Sequence, residues 1–70
     1  MMSELEVYLY DSGIIIDKDS VRPKIMEILA EFYPKLIFIK DSGSIIVKGE
    51  QYYFYEFLVK LSNYYIIKAC

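Results

Sequence analysis

Polar and apolar residues alternate from Glu4 to Tyr10, and this period of two predicts a half-buried β-strand. Its apolar face consists of Leu5, Val7 and Leu9. Its other face consists of Glu4, Glu6, Tyr8 and Tyr10. After a turn, the three consecutive isoleucines at 14–16 predict a short second strand that is covered on both sides.

The tripeptide Asp-Ser-Gly follows an apolar run twice, at 11–13 and again at 41–43. Aspartate and glycine favour tight turns, so each copy predicts a three-residue hairpin connector whose glycine, Gly13 or Gly43, has a positive φ. The second hairpin begins with a strand at 36–40 that is apolar on both faces. We therefore expect this strand in the middle of the sheet or beneath a partner.

Apolar residues recur at helical spacing between the two hairpins, which predicts an amphipathic helix. We expect Ser20 or Asp19 to cap its start. The helix should end near Phe32, because the residue before Pro34 is pushed out of the helical conformation. Its buried stripe should include Ile25, Ile28 and Leu29.

A second amphipathic helix is predicted over 49–62, and Asn63 is expected to close it in the left-handed conformation. Its apolar stripe contains Phe54, Phe57, Leu58 and Leu61. We expect Phe57 and Leu58 to be almost fully buried at the centre of the core. Residues 64–68 then predict a last strand.

These elements predict an α+β fold in which two helices cover one face of a mainly antiparallel sheet, as a two-layer sandwich. The order describes a ββα-ββα(β) internal repeat within a single domain, 1–70. Unit one is 4–33, unit two is 35–63, and the C-terminal strand is 64–68. Without its first strand the chain has the ferredoxin-like order, which is the alternative.

The composition is unusually apolar for so short a chain, with 56% hydrophobic and 17% aromatic residues among 70. A domain of this size cannot bury that much apolar surface in one core, so we expect an oligomer. The interface is expected on the uncovered sheet face or along strand 64–68. We also expect a soluble, cytoplasmic protein, because no apolar run is long enough to span a bilayer. Scarce amides with abundant lysine and glutamate are typical of a thermophile, or of an AT-rich genome.

The residues needed for catalysis or metal binding are scarce. The chain has no histidine and one cysteine, Cys70, so a structural zinc site and a disulfide framework are not expected. Asp11 and Asp41 would form a carboxylate pair if the repeat brought them together, but turn structure already accounts for both. We therefore expect a protein that is not an enzyme and that has no cofactor.

Residues 14–21, an apolar strand followed by Asp17 and Asp19, resemble the nucleophile motif of haloacid-dehalogenase-type phosphatases. The resemblance implies two aspartates serving phosphoryl transfer and magnesium binding on a parallel, doubly wound sheet. That family also needs charged residues on later strands, for which this chain has no room. The sequence favours a strand-to-helix loop with a capping residue.

Aromatic side chains are the candidate functional residues, and two hypotheses account for them. The first is a non-enzymatic protein-interaction module or assembly subunit that forms a homodimer or higher oligomer and can also bind another protein. The second is a nucleic-acid-binding protein that stacks bases on tyrosines beside dispersed lysines. Net charge is −2, so the sequence favours the first. The predicted interface residues are Tyr8, Tyr10, Phe38, Tyr52, Tyr53, Tyr55, Tyr64, Tyr65 and Ile67.

Overall fold

A computed structural model describes residues 2–70, and it is an α+β fold with a five-stranded mixed sheet and two helices. A short 3-10 turn, Lys18–Ser20, lies between the second strand and the first helix. The elements in chain order are β1 (Ser3–Tyr10), β2 (Gly13–Ile16), α1 (Pro23–Phe32), β3 (Leu36–Asp41), β4 (Ser44–Gly49), α2 (Gln51–Ser62) and β5 (Tyr65–Ala69).

The strand order across the sheet is β3-β4-β2-β1-β5. The two hairpins lie side by side, because β2 pairs antiparallel with β4. The last strand, β5, pairs parallel with β1, and the remaining pairings are antiparallel. Of the two positions expected for β3, the middle of the sheet is wrong, since β3 is an edge strand. A position beneath a partner stays a prediction.

One core lies between the sheet and both helices. Alternate residues of each strand point into it, and in β1 this alternation is the period of two seen in the sequence. Phe57 at its centre is fully buried and meets the Phe32 ring edge-to-face at 5.6 Å. The predicted burial of Ile25, Ile28, Leu29 and Phe57 is confirmed. Leu58 is only partly buried, and Leu61 takes the buried position one turn beyond Phe57.

The two Asp-Ser-Gly segments fold in different registers. In the first, Tyr10 pairs with Gly13, so the connector is residues 11–12. In the second, Asp41 pairs with Ser44, so the connector is residues 42–43. Positive φ is therefore found at Asp11 (46°) in the first turn, and at Ser42 (54°) and Gly43 (90°) in the second. The prediction is confirmed for Gly43 and wrong for Gly13, which is already part of the strand.

The first helix begins later than the sequence indicated. Asp17, rather than Asp19 or Ser20, provides the capping carboxylate, and it accepts a hydrogen bond from the Asp19 backbone N–H at 3.3 Å. That cap belongs to the 3-10 turn, and α1 starts at Pro23, whose fixed φ suits a first helical position. The helix ends at Phe32 as predicted.

Two other local expectations are wrong. Asn63 ends α2 with φ −72° and ψ −17°, which is right-handed rather than left-handed. Leu9 faces the helix side of the sheet as expected but is 74% exposed. It lies near the end of β1, where its side chain borders a surface groove with Phe54 and Tyr55 instead of entering the core.

No helix within residues 2–70 has the length and apolar character required to cross a membrane.

Candidate interaction surface

Because both helices pack on one side of the sheet, the side chains on its other side form a surface that we call the open face. Successive side chains of a strand point to opposite faces, so the residues that alternate with the buried ones lie on the open face. Its apolar patch consists of Tyr8, Tyr10, Ile15, Ile37, Ile39 and Ile46. The exposed fractions are 55% for Ile37, 41% for Ile39, 39% for Tyr8 and 38% for Tyr10.

Cross-strand register arranges four of these residues in a line, which we call the middle row. Ile39 on β3 is opposite Ile46 on β4, Ile46 is opposite Ile15 on β2, and Ile15 is opposite Tyr8 on β1. Adjacent strands lie about 4.8 Å apart, so the row crosses roughly 14 Å of the sheet as contiguous apolar surface. Single exposed apolar side chains are ordinary, but a contiguous row across four strands is typical of an interaction site.

The charges on the two sides of the middle row differ. On one side, Lys48 is opposite Ile37 and Gly13, and its Nζ lies 6.0 Å from the centre of the Tyr10 ring. On the other side, Asp41 ends β3, Asp17 follows β2, and Glu6 lies on β1. The open face therefore has a basic side and an acidic side.

The acidic side is close enough to the middle row to affect Tyr8. The pKa of the Tyr8 hydroxyl is raised above its ordinary value of 10.0, chiefly because the Glu6 carboxylate disfavours a second negative charge nearby. The Cys70 thiol and Asp17 act in the same direction. The Cys70 Sγ lies 3.9 Å from a Glu6 carboxylate oxygen, so Cys70 is part of this region.

Two of the predicted interface residues, Tyr8 and Tyr10, lie together in the apolar patch. The isoleucines that complete the patch are not among the predicted interface residues. The signal was present, because Ile37 and Ile39 alternate with Leu36 and Phe38, but an all-apolar strand does not indicate which set is buried.

Four predicted residues lie on the helix side instead. Tyr65 is buried in the core, and Phe38, Tyr53 and Ile67 pack partly buried against it. Phe38 also lines an apolar groove of about 260 Å³ between α1 and the second hairpin, where the Lys40 side chain is the charged member. These residues stabilise the fold and are not part of the open face.

The remaining predicted residues are exposed at separate places. Tyr52 and Tyr55 are on α2, where the Tyr55 hydroxyl accepts a hydrogen bond from the Gln51 side-chain amide at 3.0 Å. Tyr64 precedes β5, with the Lys24 Nζ 4.2 Å from the centre of its ring. The structure therefore does not bring the predicted aromatic residues together on one surface.

The carboxylates that could have carried chemistry are also dispersed. Asp11 and Asp41 lie at opposite ends of the sheet, because the two hairpins run antiparallel to each other. The strand before Asp17, β2, is flanked by antiparallel neighbours, unlike the parallel sheet that the phosphatase resemblance implies. Across residues 2–70, no three histidine, cysteine or acidic side chains are grouped so that they could hold a metal ion.

The chain matches no protein-family model, and no curated protein or solved structure is significantly similar to it.

Proposed function

We propose that this protein is a small non-enzymatic interaction module that forms a homodimer through the open face. The observation that carries the proposal is the apolar patch, in which isoleucine and tyrosine side chains form contiguous exposed surface on a regular sheet. Burying that surface against a second protein removes it from water, which is the main favourable contribution to association.

The chemistry of the patch suits a second protein. Tyrosine combines a large apolar ring with a hydroxyl that stays hydrated at an interface margin, and Tyr8 and Tyr10 occupy the β1 side of the patch. A second copy of this chain is the partner for which the surface offers direct support, because the open face carries both a basic side and an acidic side. Two copies can therefore match opposite charges with no other protein present.

The size of the face limits the kind of complex that we expect. Five strands at about 4.8 Å and roughly six residues at about 3.3 Å give on the order of 480 Å² per copy. Complete overlap of two such faces would bury on the order of 1,000 Å² in total, which is an upper bound for this contact and lies at the lower limit for specific complexes. Contacts of this size are typical of transient complexes, so we expect a reversible dimer rather than a permanent one.

Sedimentation velocity across micromolar concentrations tests the proposal. The 8.3 kDa chain should approach twice that mass as concentration rises. Ile39→Lys, which places a charge in the exposed middle row, should leave a monomer. Val59→Lys is the matched control, because Val59 is a 62% exposed apolar residue on α2, away from the open face.

A wild-type protein that stays monomeric to several hundred micromolar would overturn the proposal. If the dimer persisted in the Ile39→Lys variant, the interface would lie outside the open face. The edge of β5 would then be the place to look, because an exposed strand edge can pair with the same strand of another copy.

Nucleic-acid binding is the second candidate, and one kind of observation favours it. Cationic side chains lie over tyrosine rings at Lys24–Tyr64, Arg22–Tyr65, Lys35–Tyr53 and Lys48–Tyr10, at 4.2 to 6.0 Å from the ring centres. Such pairs resemble the aromatic and basic elements of single-strand binders, but they lie on different parts of the surface. Anisotropy titrations with single-stranded RNA and DNA decide the matter. Affinity that falls steeply with salt would favour this candidate, and no binding at low salt would remove it.

We also propose that the fold is a duplicated ββα unit. Three pairs of buried residues, each thirty-one positions apart, support this: Leu5 and Leu36, Ile14 and Ile45, and Ile16 and Val47. With β1 set aside, the order β3-β4-β2-β5 corresponds to the ferredoxin-like arrangement, with β1 inserted between β2 and β5.

A further inference from the structure

We propose that two copies pack open face to open face about a two-fold axis that runs across the strands, along the middle row. In this arrangement Lys48 of each copy lies over the acidic side of the other. The inference rests on the proposed dimer and adds the orientation of its two copies.

The first step is the uneven distribution of charge. On one side of the middle row, the residues opposite one another on adjacent strands are Ile37, Lys48, Gly13 and Tyr10. Lys48 is the charged residue of this set. The other side carries Asp41 and Glu6, and Lys68 on β5 lies opposite Glu6. Asp17 adds a further carboxylate beside β2, so the acidic side keeps an excess of negative charge.

The second step compares the two axes that stack aligned sheets face to face. A two-fold axis parallel to the strands places the acidic side of one copy over the acidic side of the other, and β3 of one copy above β1 of the other. Asp41 of one copy would then face Glu6 of the other, and like charges would approach each other. An axis perpendicular to the strands places the basic side of one copy over the acidic side of the other. Lys48 then lies above Ser44 of the second copy, between the Asp41 and Asp17 of that copy. Opposite charges then meet in two equivalent places.

The third step concerns the apolar contact. When the axis runs along the middle row, the middle row of one copy packs on the middle row of the other. Ile39 then faces Ile39 of the second copy. Strands of the two sheets run close to antiparallel, which agrees with the aligned packing of β-sandwiches, where sheets cross at about 30°. Hydrophobic burial and charge pairing are therefore satisfied by the same arrangement.

Charge reversal tests the orientation, measured by sedimentation at low ionic strength because salt screens exposed pairs. Lys48→Glu alone should weaken the homodimer by about tenfold, and so should Asp41→Lys alone, since each creates two repulsive contacts. An equimolar mixture of the two variants should form a heterodimer near wild-type affinity, because the two substituted positions then face each other with opposite charges and the other contact is native. Glu27→Lys on α1 is the control, with a matched charge change on the helix side, and should have no effect.

A second measurement does not depend on charge. Ile39→Cys in a Cys70→Ser background should cross-link to itself with a short bis-maleimide, because the two copies of residue 39 face each other. With the axis along the strands, residue 39 would face Tyr8 and self-cross-linking would be lost.

The outcomes separate the two proposals. A monomeric wild-type protein would overturn both the dimer and its orientation. A wild-type dimer that Asp41→Lys strengthens, or whose two variants gain nothing on mixing, would overturn the orientation and leave the dimer in place.

Discussion

Gly13 and Gly43 occupy identical Asp-Ser-Gly segments, yet the structure predicts that replacing them by alanine has different costs. A Cβ on Gly13 would overlap the Val47 carbonyl oxygen and come within 2.7 Å of the Lys48 Cβ on the neighbouring strand. The carbonyl oxygen is a backbone atom and the Cβ is attached directly to the backbone of β4, so neither can move far without separating β2 from β4. At Gly43, a Cβ would lie 3.1 Å from the Lys18 Cβ, and the main cost is its φ of 90°.

The magnitudes follow from these two causes. Overfilling a packed site costs about 1–3 kcal/mol and sometimes more, so we expect Gly13→Ala to destabilise the protein by at least about 2 kcal/mol. A non-glycine residue at positive φ costs on the order of 1 kcal/mol, which is our expectation for Gly43→Ala. In a domain of this size, about 2 kcal/mol lowers the melting temperature by roughly 8–16 °C.

Urea denaturation followed by far-UV circular dichroism measures both variants, with Ser12→Ala as the control in the same turn. Equal m-values would show that the comparison concerns stability rather than a change in the unfolded state. If Gly43→Ala proved as damaging as Gly13→Ala or more so, the one-residue difference between the two turn registers would be incorrect.

Two further predictions concern the core and the open face. Phe57→Ala should lower the free energy of unfolding by about 3–5 kcal/mol, because the ring is fully buried. Leu58→Ala, at a partly buried position, should lower it by less than about 2 kcal/mol in the same urea assay. Equal losses of stability would contradict the helix register. Tyr8 should ionise above pH 10.0 because its pKa is raised, first by Glu6, and Glu6→Gln should lower that pKa toward the ordinary value. Ultraviolet titration of wild-type and Glu6→Gln proteins, each compared with its Tyr8→Phe variant, isolates this tyrosine, and an unchanged midpoint would refute the assigned cause.

The open face could be predicted only in part. The sequence predicts Tyr8 and Tyr10, because β1 alternates polar and apolar residues and its two faces can therefore be distinguished. In β3 both faces are apolar, so the sequence does not distinguish them. The predicted interface residue Phe38 packs toward the core, whereas Ile37 and Ile39 are exposed. Which face of such a strand is buried depends on where the helices lie, and that information is not local.

The sequence by itself determined the number, type and approximate extent of the strands and helices. Each of these follows from hydrophobic period and from local conformational preference, as in the helix that ends at Phe32 before Pro34. Tertiary structure decided the strand order, the edge position of β3, and the parallel pairing of β5 with β1. It also decided that one Asp-Ser-Gly segment turns at residues 11–12 and the other at 42–43. These choices depend on which strands meet across the sheet and which side chains the helices cover, and residues far apart in the chain determine both.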